Sequence, residues 1–134
     1  DNSDYFLYKF NISNEDKKRI RFLQNVFSKP LDRKTFSEKN LWKMLYYNNK
    51  NYLNDLINFQ IYRSKKIDKK LIKLKEFFSH QLPPKFNVKA KFLMEKFNLK
   101  EGKELGQKIK EIEIAWINNS FKITDKQIEK IING

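Results

Sequence analysis

The sequence predicts an all-α protein, an irregular bundle of about seven helices. Apolar residues recur at spacings of three and four along most of its 134 residues, and this is the period of an amphipathic helix. No two-residue alternation of apolar and polar side chains persists, so no strand is predicted. Many amphipathic segments joined by short loops are typical of an irregular helical bundle.

Three helices are predicted in the first half of the chain. The patterns Ser13-x-x-Asp16 and Thr35-x-x-Glu38 can cap the first two, and Pro30 separates them. The asparagine-rich residues 48–51 predict a turn before the third helix. The apolar residues expected to pack from these helices are Ile20, Leu23, Phe27, Leu41, Met44, Leu45, Leu53, Leu56, Ile57 and Ile61.

Four helices are predicted in the second half. The fourth helix packs Ile67, Leu71, Leu74 and Phe78, and the Pro83-Pro84 pair ends it because proline lacks an amide donor. A short helix follows at about residues 89–97, and a long one at about 102–118. The last helix is capped by Thr124-x-x-Gln127 and packs Ile128, Ile131 and Ile132. Phe22, Phe59, Phe86 and Trp116 are also expected to be core residues.

The composition excludes several classes of site. The chain has no cysteine, which excludes disulfides, thiolate metal sites and a cysteine nucleophile. No apolar run is long enough to span a bilayer and the first residues do not form a secretory signal, so we expect a cytoplasmic protein with no membrane partner. The polar start without methionine leads us to expect a piece of a longer protein.

No catalytic residue and no metal site are predicted. The single histidine, His80, has only Glu76 one turn away, which falls short of a metal site and favours a helix-end or surface histidine. The two carboxylates of Glu111-x-Glu113 diverge on a helix. Gly102-x-x-x-Gly106 is not a phosphate-binding loop. We expect Gly102 to turn the chain into a helix, and Gly106 to allow close helix packing rather than nucleic-acid contact.

Positive charge is concentrated in one part of the chain. The net charge is +13, and fifteen basic but only five acidic residues lie between Arg63 and Lys110. Lys66, Lys69, Lys70 and Lys73 recur at i, i+3, i+4 and i+7, so a helix would present them as one row. Such a row suits phosphates, and lysine favours backbone contact over reading of base edges. The row therefore predicts a nucleic-acid-binding face.

Other lysines and tyrosines could extend this face. We include Lys85, Lys89, Lys91, Lys103 and Lys108, together with Gly102, as candidate nucleic-acid-binding residues. Tyr46, Tyr47, Tyr52 and Tyr62 could stack on bases, although helix packing explains them equally well.

Residues 83–123 carry a family resemblance. A proline turn, a short helix and a glycine-opened long helix occur in the order found in the carboxy-terminal part of bacterial CCA-adding tRNA nucleotidyltransferases and related poly(A) polymerases, which this segment resembles. The matching positions are Phe86, Val88, Leu93, Met94, Gly102, Leu105, Gly106 and Ile109. The sequence departs from the family pattern at Asn87, Ala90, Phe92, Phe97 and Lys103.

The chain length predicts a single helical domain over residues 1–134. The resemblance implies that this domain is the tRNA-binding, carboxy-terminal part of a longer enzyme. In the family that this segment resembles, a separate amino-terminal catalytic domain, the head, would hold Mg²⁺ and use CTP and ATP. The present chain would need no cofactor and would anchor the acceptor arm and elbow of tRNA. Two alternatives stay open: a stand-alone helical module that binds protein, and a non-specific RNA-binding module. An RNA-cleaving enzyme using His80 lacks a second acid or base.

Overall fold

A computed structural model describes residues 12–29, 31 and 34–134. These residues form seven helices and no strand, which confirms the all-α prediction. Pro30, the predicted break between the first two helices, lies outside the described residues. The helices are α1 (Asn14–Phe27), α2 (Glu38–Tyr47), α3 (Lys50–Arg63), α4 (Lys69–Ser79), α5 (Ala90–Phe97), α6 (Lys103–Asn118) and α7 (Asp125–Asn133).

The chain divides into two compact units, Asp1–Pro83 and Pro84–Gly134. Helices α1 to α4 belong to the first unit, and α5 to α7 belong to the second. Each unit has its own cluster of buried apolar side chains. The single domain predicted over residues 1–134 stays a prediction, and each unit is described by itself below.

The first core forms around α3, which packs against α1, α2 and α4. Burial removes these apolar side chains from water and stabilises the unit by about 1.5–3 kcal/mol for each large one. The rings of Trp42 and Phe78 make an edge-type contact, with 5.3 Å between their centroids. The fully buried residues are Leu41, Leu45, Leu53, Leu56, Ile57 and Phe78.

Helix α1 has no fully buried residue, but four half-buried apolar side chains pack it against the first core: Phe22, Leu23, Val26 and Phe27. An ion pair and a ring stack add specific contacts with α3. Arg19 makes two parallel hydrogen bonds to Asp55, Nε to Oδ2 and Nη2 to Oδ1, each at 2.7 Å. These bonds and the charge of Asp55 raise the pKa of the Arg19 guanidinium above its usual range. Phe22 stacks on Tyr52 with 5.0 Å between ring centroids. The paired geometry fixes which face of α1 meets α3.

The second core draws one stripe from each of its three helices. Leu93 of α5, Leu105 and Ile112 of α6, and Ile128 of α7 are buried together. Trp116 is 7% exposed, which confirms its predicted burial. The capping box at Thr124 is also confirmed. Its hydroxyl accepts from the Gln127 amide at 3.2 Å, and the Gln127 side chain accepts from the Thr124 amide at 2.9 Å.

Two predicted helix starts are wrong. Helix α2 is capped by Ser37 instead of Thr35, because the Ser37 hydroxyl accepts from the Asn40 amide at 3.3 Å. Helix α4 begins at Lys69, so Ile67 lies before it and is 84% exposed rather than in the core. Phe59, also predicted in the core, is 38% exposed, although it contacts the ring of Phe27.

Two further predictions concern residues near helix ends. Helix α4 stops at Ser79, before the two prolines, with His80 as its C-cap. This confirms the interpretation of His80 as a helix-end histidine. Gly106 lies in the first turn of α6, and a Cβ built there would meet nothing within 4 Å. Among the described residues, the predicted close packing of another helix against Gly106 is therefore wrong.

The turn after α6 places two ordinary residues in the left-handed region. Ser120 has φ 56° and Phe121 has φ 62°, where a Cβ crowds the following carbonyl. The Phe121 amide donates to the Trp116 carbonyl at 2.8 Å, and the two rings lie 5.0 Å apart. This bond and ring contact hold the turn in place despite its backbone strain.

Replacing the buried Leu56 by alanine should lower the free energy of unfolding by about 2–5 kcal/mol, since it leaves a cavity in the first core. The exposed Ile67→Ala substitution is the control and should change it by less than about 0.5 kcal/mol. Urea unfolding followed by circular dichroism measures both. Equal losses would contradict the placement of Ile67 outside the core.

Ser120→Gly should raise the free energy of unfolding by up to about 1 kcal/mol, because glycine adopts a positive φ without the Cβ clash. Asn98→Gly is a matched comparison at φ 54°. It should gain less, since asparagine tolerates this region better than serine does. Thermal unfolding of the two variants checks the order, and a destabilised Ser120→Gly protein would argue against the strain.

Candidate nucleic-acid interface

The start of α4 determines where the lysines of the first unit lie. The Asp68 side chain accepts hydrogen bonds from the backbone amides of Lys70 at 3.0 Å and Leu71 at 3.3 Å. Such an aspartate at the N-cap satisfies amides that have no partner within the helix. It starts the helix at Lys69 and leaves residues 64–68 as a loop.

This loop and the first residues of α4 form an open depression of about 670 Å³. Four lysines line it, and all four are exposed. Asp68 is the only carboxylate among its lining residues, and it already caps the helix. The lining residues are Ser64, Lys65, Lys66, Ile67, Asp68, Lys69 and Lys70.

Three of the four lysines predicted as a row are on one helix. Lys69, Lys70 and Lys73 are exposed residues of α4, with Lys73 one turn beyond the first two. Lys66 is not on the helix, which corrects the predicted helical row. It nevertheless lines the same depression as Lys69 and Lys70. We call Lys65, Lys66, Lys69, Lys70 and Lys73 the α4 lysine surface.

Sequence reasoning missed Lys65. A continuous helix through residue 66 would have placed Lys65 off the predicted row, whereas the loop brings it to the depression. Asp68 directly before the Lys69–Ser79 segment was the available signal, because aspartate is a preferred N-cap residue. Because Asp68 caps α4, the helix excludes Ile67, although the spacing of Ile67 fits the apolar period.

The α4 lysine surface carries positive charge that no described carboxylate pairs with. Within the described part of the chain, no carboxylate lies within ion-pair distance of any of its five ammonium groups. By contrast, Lys18, Lys96 and Arg19 each have an acidic neighbour. Ammonium groups without a carboxylate partner, on an exposed loop and helix, attract polyanions because no neighbouring negative charge offsets their electrostatic field.

Two of the predicted stacking tyrosines are exposed. Tyr62, in the last turn of α3 and three residues before Lys65, is 85% exposed, and Tyr47, which is farther away in sequence, is 64% exposed. Both are accessible for stacking on a base. Tyr52 instead stacks on Phe22 within the protein, which agrees with the alternative that helix packing explains this tyrosine.

The predicted site residues of the second unit differ in their exposure to solvent and in their contacts within the unit. Lys85, Lys89, Lys91 and Lys103 are exposed. Gly102 is the N-cap of α6 with φ 152°, a conformation that favours glycine, so it turns the chain into the helix as predicted.

Lys108 is used inside the second unit. Its side chain is 17% exposed, and its ammonium donates to the carbonyls of Ile131 and Gly134 at 3.1 Å each. It therefore satisfies carbonyls at the end of α7, a stabilising role for a cation at a helix C-terminus. We leave Lys108 out of the candidate interface.

The described residues contain no cluster of three or more His, Cys, Asp or Glu side chains that could hold a metal ion. His80 Nε2 lies 3.2 Å from Glu76 Oε1, but both side chains are more than 70% exposed.

No helix among the described residues is long and apolar enough to cross a membrane.

Comparisons of the chain with protein-family models, curated proteins and solved structures gave no match.

Replacing Asp68 by asparagine should preserve α4 but strengthen anion binding. Asparagine caps a helix about as well as aspartate, and the change removes the one carboxylate of the depression. We expect the affinity for RNA to rise by up to about fivefold, the range of a single exposed charge pair. Fluorescence anisotropy at low salt measures this.

Asp68→Ala is the matched control, since it removes the same charge but also the cap. It should lower the free energy of unfolding by about 1 kcal/mol. An Asp68→Asn protein with unchanged or weaker RNA affinity would show that anions do not bind at the depression.

Proposed function

We propose that this chain binds folded RNA through its phosphates, with the α4 lysine surface as the main contact. The observation that supports this most directly is the set of five exposed ammonium groups without a carboxylate partner in the described residues. Four of them surround one depression. A polyanion can neutralise several of these charges at once, which a small anion cannot do.

Counterion release supplies the driving force for such binding. Each phosphate that a lysine neutralises frees condensed cations, so affinity falls steeply as salt rises. Lysine presents a compact, strongly hydrated charge with no fixed fork of donors, whereas arginine suits bidentate reading of guanine. Arg63 is the nearest arginine in sequence, and its guanidinium lies 4.8 Å from the Phe27 ring centroid, over that ring. Backbone contacts therefore dominate the proposed interface.

We propose tRNA as the RNA, and a CCA-adding nucleotidyltransferase as the larger protein. The resemblance over residues 83–123 supports this, including Gly102 at the start of a long helix. In this proposal the chain grips the acceptor arm and elbow by shape and charge, as folded RNA is recognised largely through its backbone and 2′-hydroxyls. The catalytic head, with Mg²⁺, CTP and ATP, is separate, and the chain acts in the cytoplasm without transferring nucleotides itself.

A helical protein-binding module is the second candidate. The exposed side chains of Tyr62 and Ile67 favour it, since both are more than 80% exposed. Large apolar side chains at an interface exclude water when a partner covers them. Binding of this kind would depend weakly on salt, which separates it from the first proposal.

The test replaces Lys66, Lys69, Lys70 and Lys73 together by glutamine. The matched control replaces four other exposed lysines, Lys100, Lys110, Lys126 and Lys130, by glutamine. Binding to a tRNA transcript without its CCA end is measured by anisotropy over a potassium chloride series, with a duplex DNA of equal charge as competitor. Circular dichroism checks that both variants keep their helices.

We expect the first variant to lose at least tenfold in affinity at moderate salt. The slope of log affinity against log salt should become shallower by up to about 3, since four phosphate contacts are lost. The control variant should retain most of the affinity for tRNA and most of the salt dependence. Equal losses in the two variants would contradict the α4 lysine surface as the contact, and equal binding to tRNA and DNA would contradict a preference for tRNA.

A further inference from the structure

The second unit contains a separate pocket of about 520 Å³, within the range of small-ligand sites. Four aromatic side chains contribute to its lining: Phe86, Phe92, Trp116 and Phe121. Phe86 and Phe121 each contact Trp116, with 5.2 Å and 5.0 Å between ring centroids. Phe92 is 42% exposed. The pocket therefore combines a supported aromatic wall with one accessible ring.

The strained turn after α6 contributes to this wall. Phe121 adopts φ 62°, which a bulky residue rarely does. Its amide bond to the Trp116 carbonyl and its ring contact with Trp116 hold it there. Strained backbone that the surrounding contacts maintain is concentrated at functional sites. This strain is independent of the lysines and marks the pocket as a place to look for a ligand.

The charges of the pocket favour an anionic ligand. Lys85 and Lys122 line it, and neither has a carboxylate within ion-pair distance in the described residues. Asp125 is the one lining carboxylate, and it lies 3.8 Å from the Lys96 ammonium. That ammonium also lies 5.4 Å from the Phe92 ring centroid. The two unpaired lysines therefore leave the pocket positive.

We propose that this pocket binds one unpaired nucleotide of the RNA. The base stacks on Phe92, and its phosphates contact Lys85 and Lys122. Asn87 also lines the pocket, and its amide can donate to or accept from a base edge. Aromatic rings beside basic side chains bind unpaired nucleotides, because every base has a face that can stack. Inorganic phosphate would leave the aromatic wall unused, and a base inside a duplex has both faces stacked on its neighbours.

This inference rests on the proposed function, since it assigns the nucleotide to the bound RNA. It adds a preference that the α4 lysine surface does not supply. Phosphate contacts alone bind paired and unpaired RNA according to charge. Stacking adds affinity only where a base is free, so the two contributions separate experimentally.

The test uses two RNA hairpins of equal length that carry the fluorescent base 2-aminopurine. In one hairpin this base is unpaired, and in the other it is paired. Affinity is measured by anisotropy of a separate dye, and stacking is measured by quenching of 2-aminopurine at saturating protein. The variants are Phe92→Ala and Lys122→Ala. Their controls are Ile114→Ala, an exposed apolar residue outside the lining, and Lys126→Ala, an exposed lysine outside it.

We expect the wild-type protein to bind the unpaired hairpin about tenfold more tightly and to quench its 2-aminopurine. Phe92→Ala should abolish most of the preference and the quenching, while binding to the paired hairpin stays unchanged. Lys122→Ala should lower the affinity for the unpaired hairpin severalfold. Neither control should change the preference.

Equal affinity of the wild-type protein for the two hairpins would overturn the inference and leave RNA binding itself intact. A Phe92→Ala protein that behaves like Ile114→Ala would do the same. Loss of 2-aminopurine quenching on addition of millimolar AMP, without a hairpin preference, would assign the pocket to free nucleotides and also overturn it. Failure of both hairpins to bind would reject the proposed function together with this inference.

Discussion

The two cores are formed by apolar side chains, and this constraint places the charged side chains of the described residues outside them. Among the described residues, no polar or charged side chain is buried. The chain nevertheless carries 29 basic and 16 acidic residues, so carboxylates cannot pair with every cation even in principle. Surplus ammonium groups must face water, where they repel one another. The α4 lysine surface is where this surplus gathers around one depression, and an RNA backbone would relieve the repulsion.

Local sequence signals predicted much of the fold because they act over three or four residues. The hydroxyls of Ser13 and Thr124 cap their helices as predicted, and the period of apolar residues placed Leu56 and Trp116 in the cores. The start of α4 was predicted wrongly, as two local signals competed there. Ile67 extended the apolar period, whereas Asp68 could cap the helix, and the capping hydrogen bonds prevailed.

The roles that sequence could not predict depend on contacts between distant segments. Lys108 resembles any other surface lysine until α7 brings the Ile131 carbonyl within 3.1 Å of its ammonium. Gly106 resembles a packing glycine, but the folded unit places no neighbour beside it. The pocket could not be predicted from the sequence either, since its lining combines residues near 85, 116 and 122, which are distant along the chain. Most of the helices were therefore predictable, whereas only part of the candidate site was.

The proposed interface is tested most directly by lysine footprinting of the unmodified protein. Limiting acetylation with and without tRNA, read by mass spectrometry, reports how accessible each ammonium group is. The α4 lysine surface should react severalfold more slowly in the complex, while exposed lysines such as Lys110 and Lys130 keep their rates. Uniform protection of all lysines, or protection that spares Lys65, Lys66, Lys69, Lys70 and Lys73, would contradict the account.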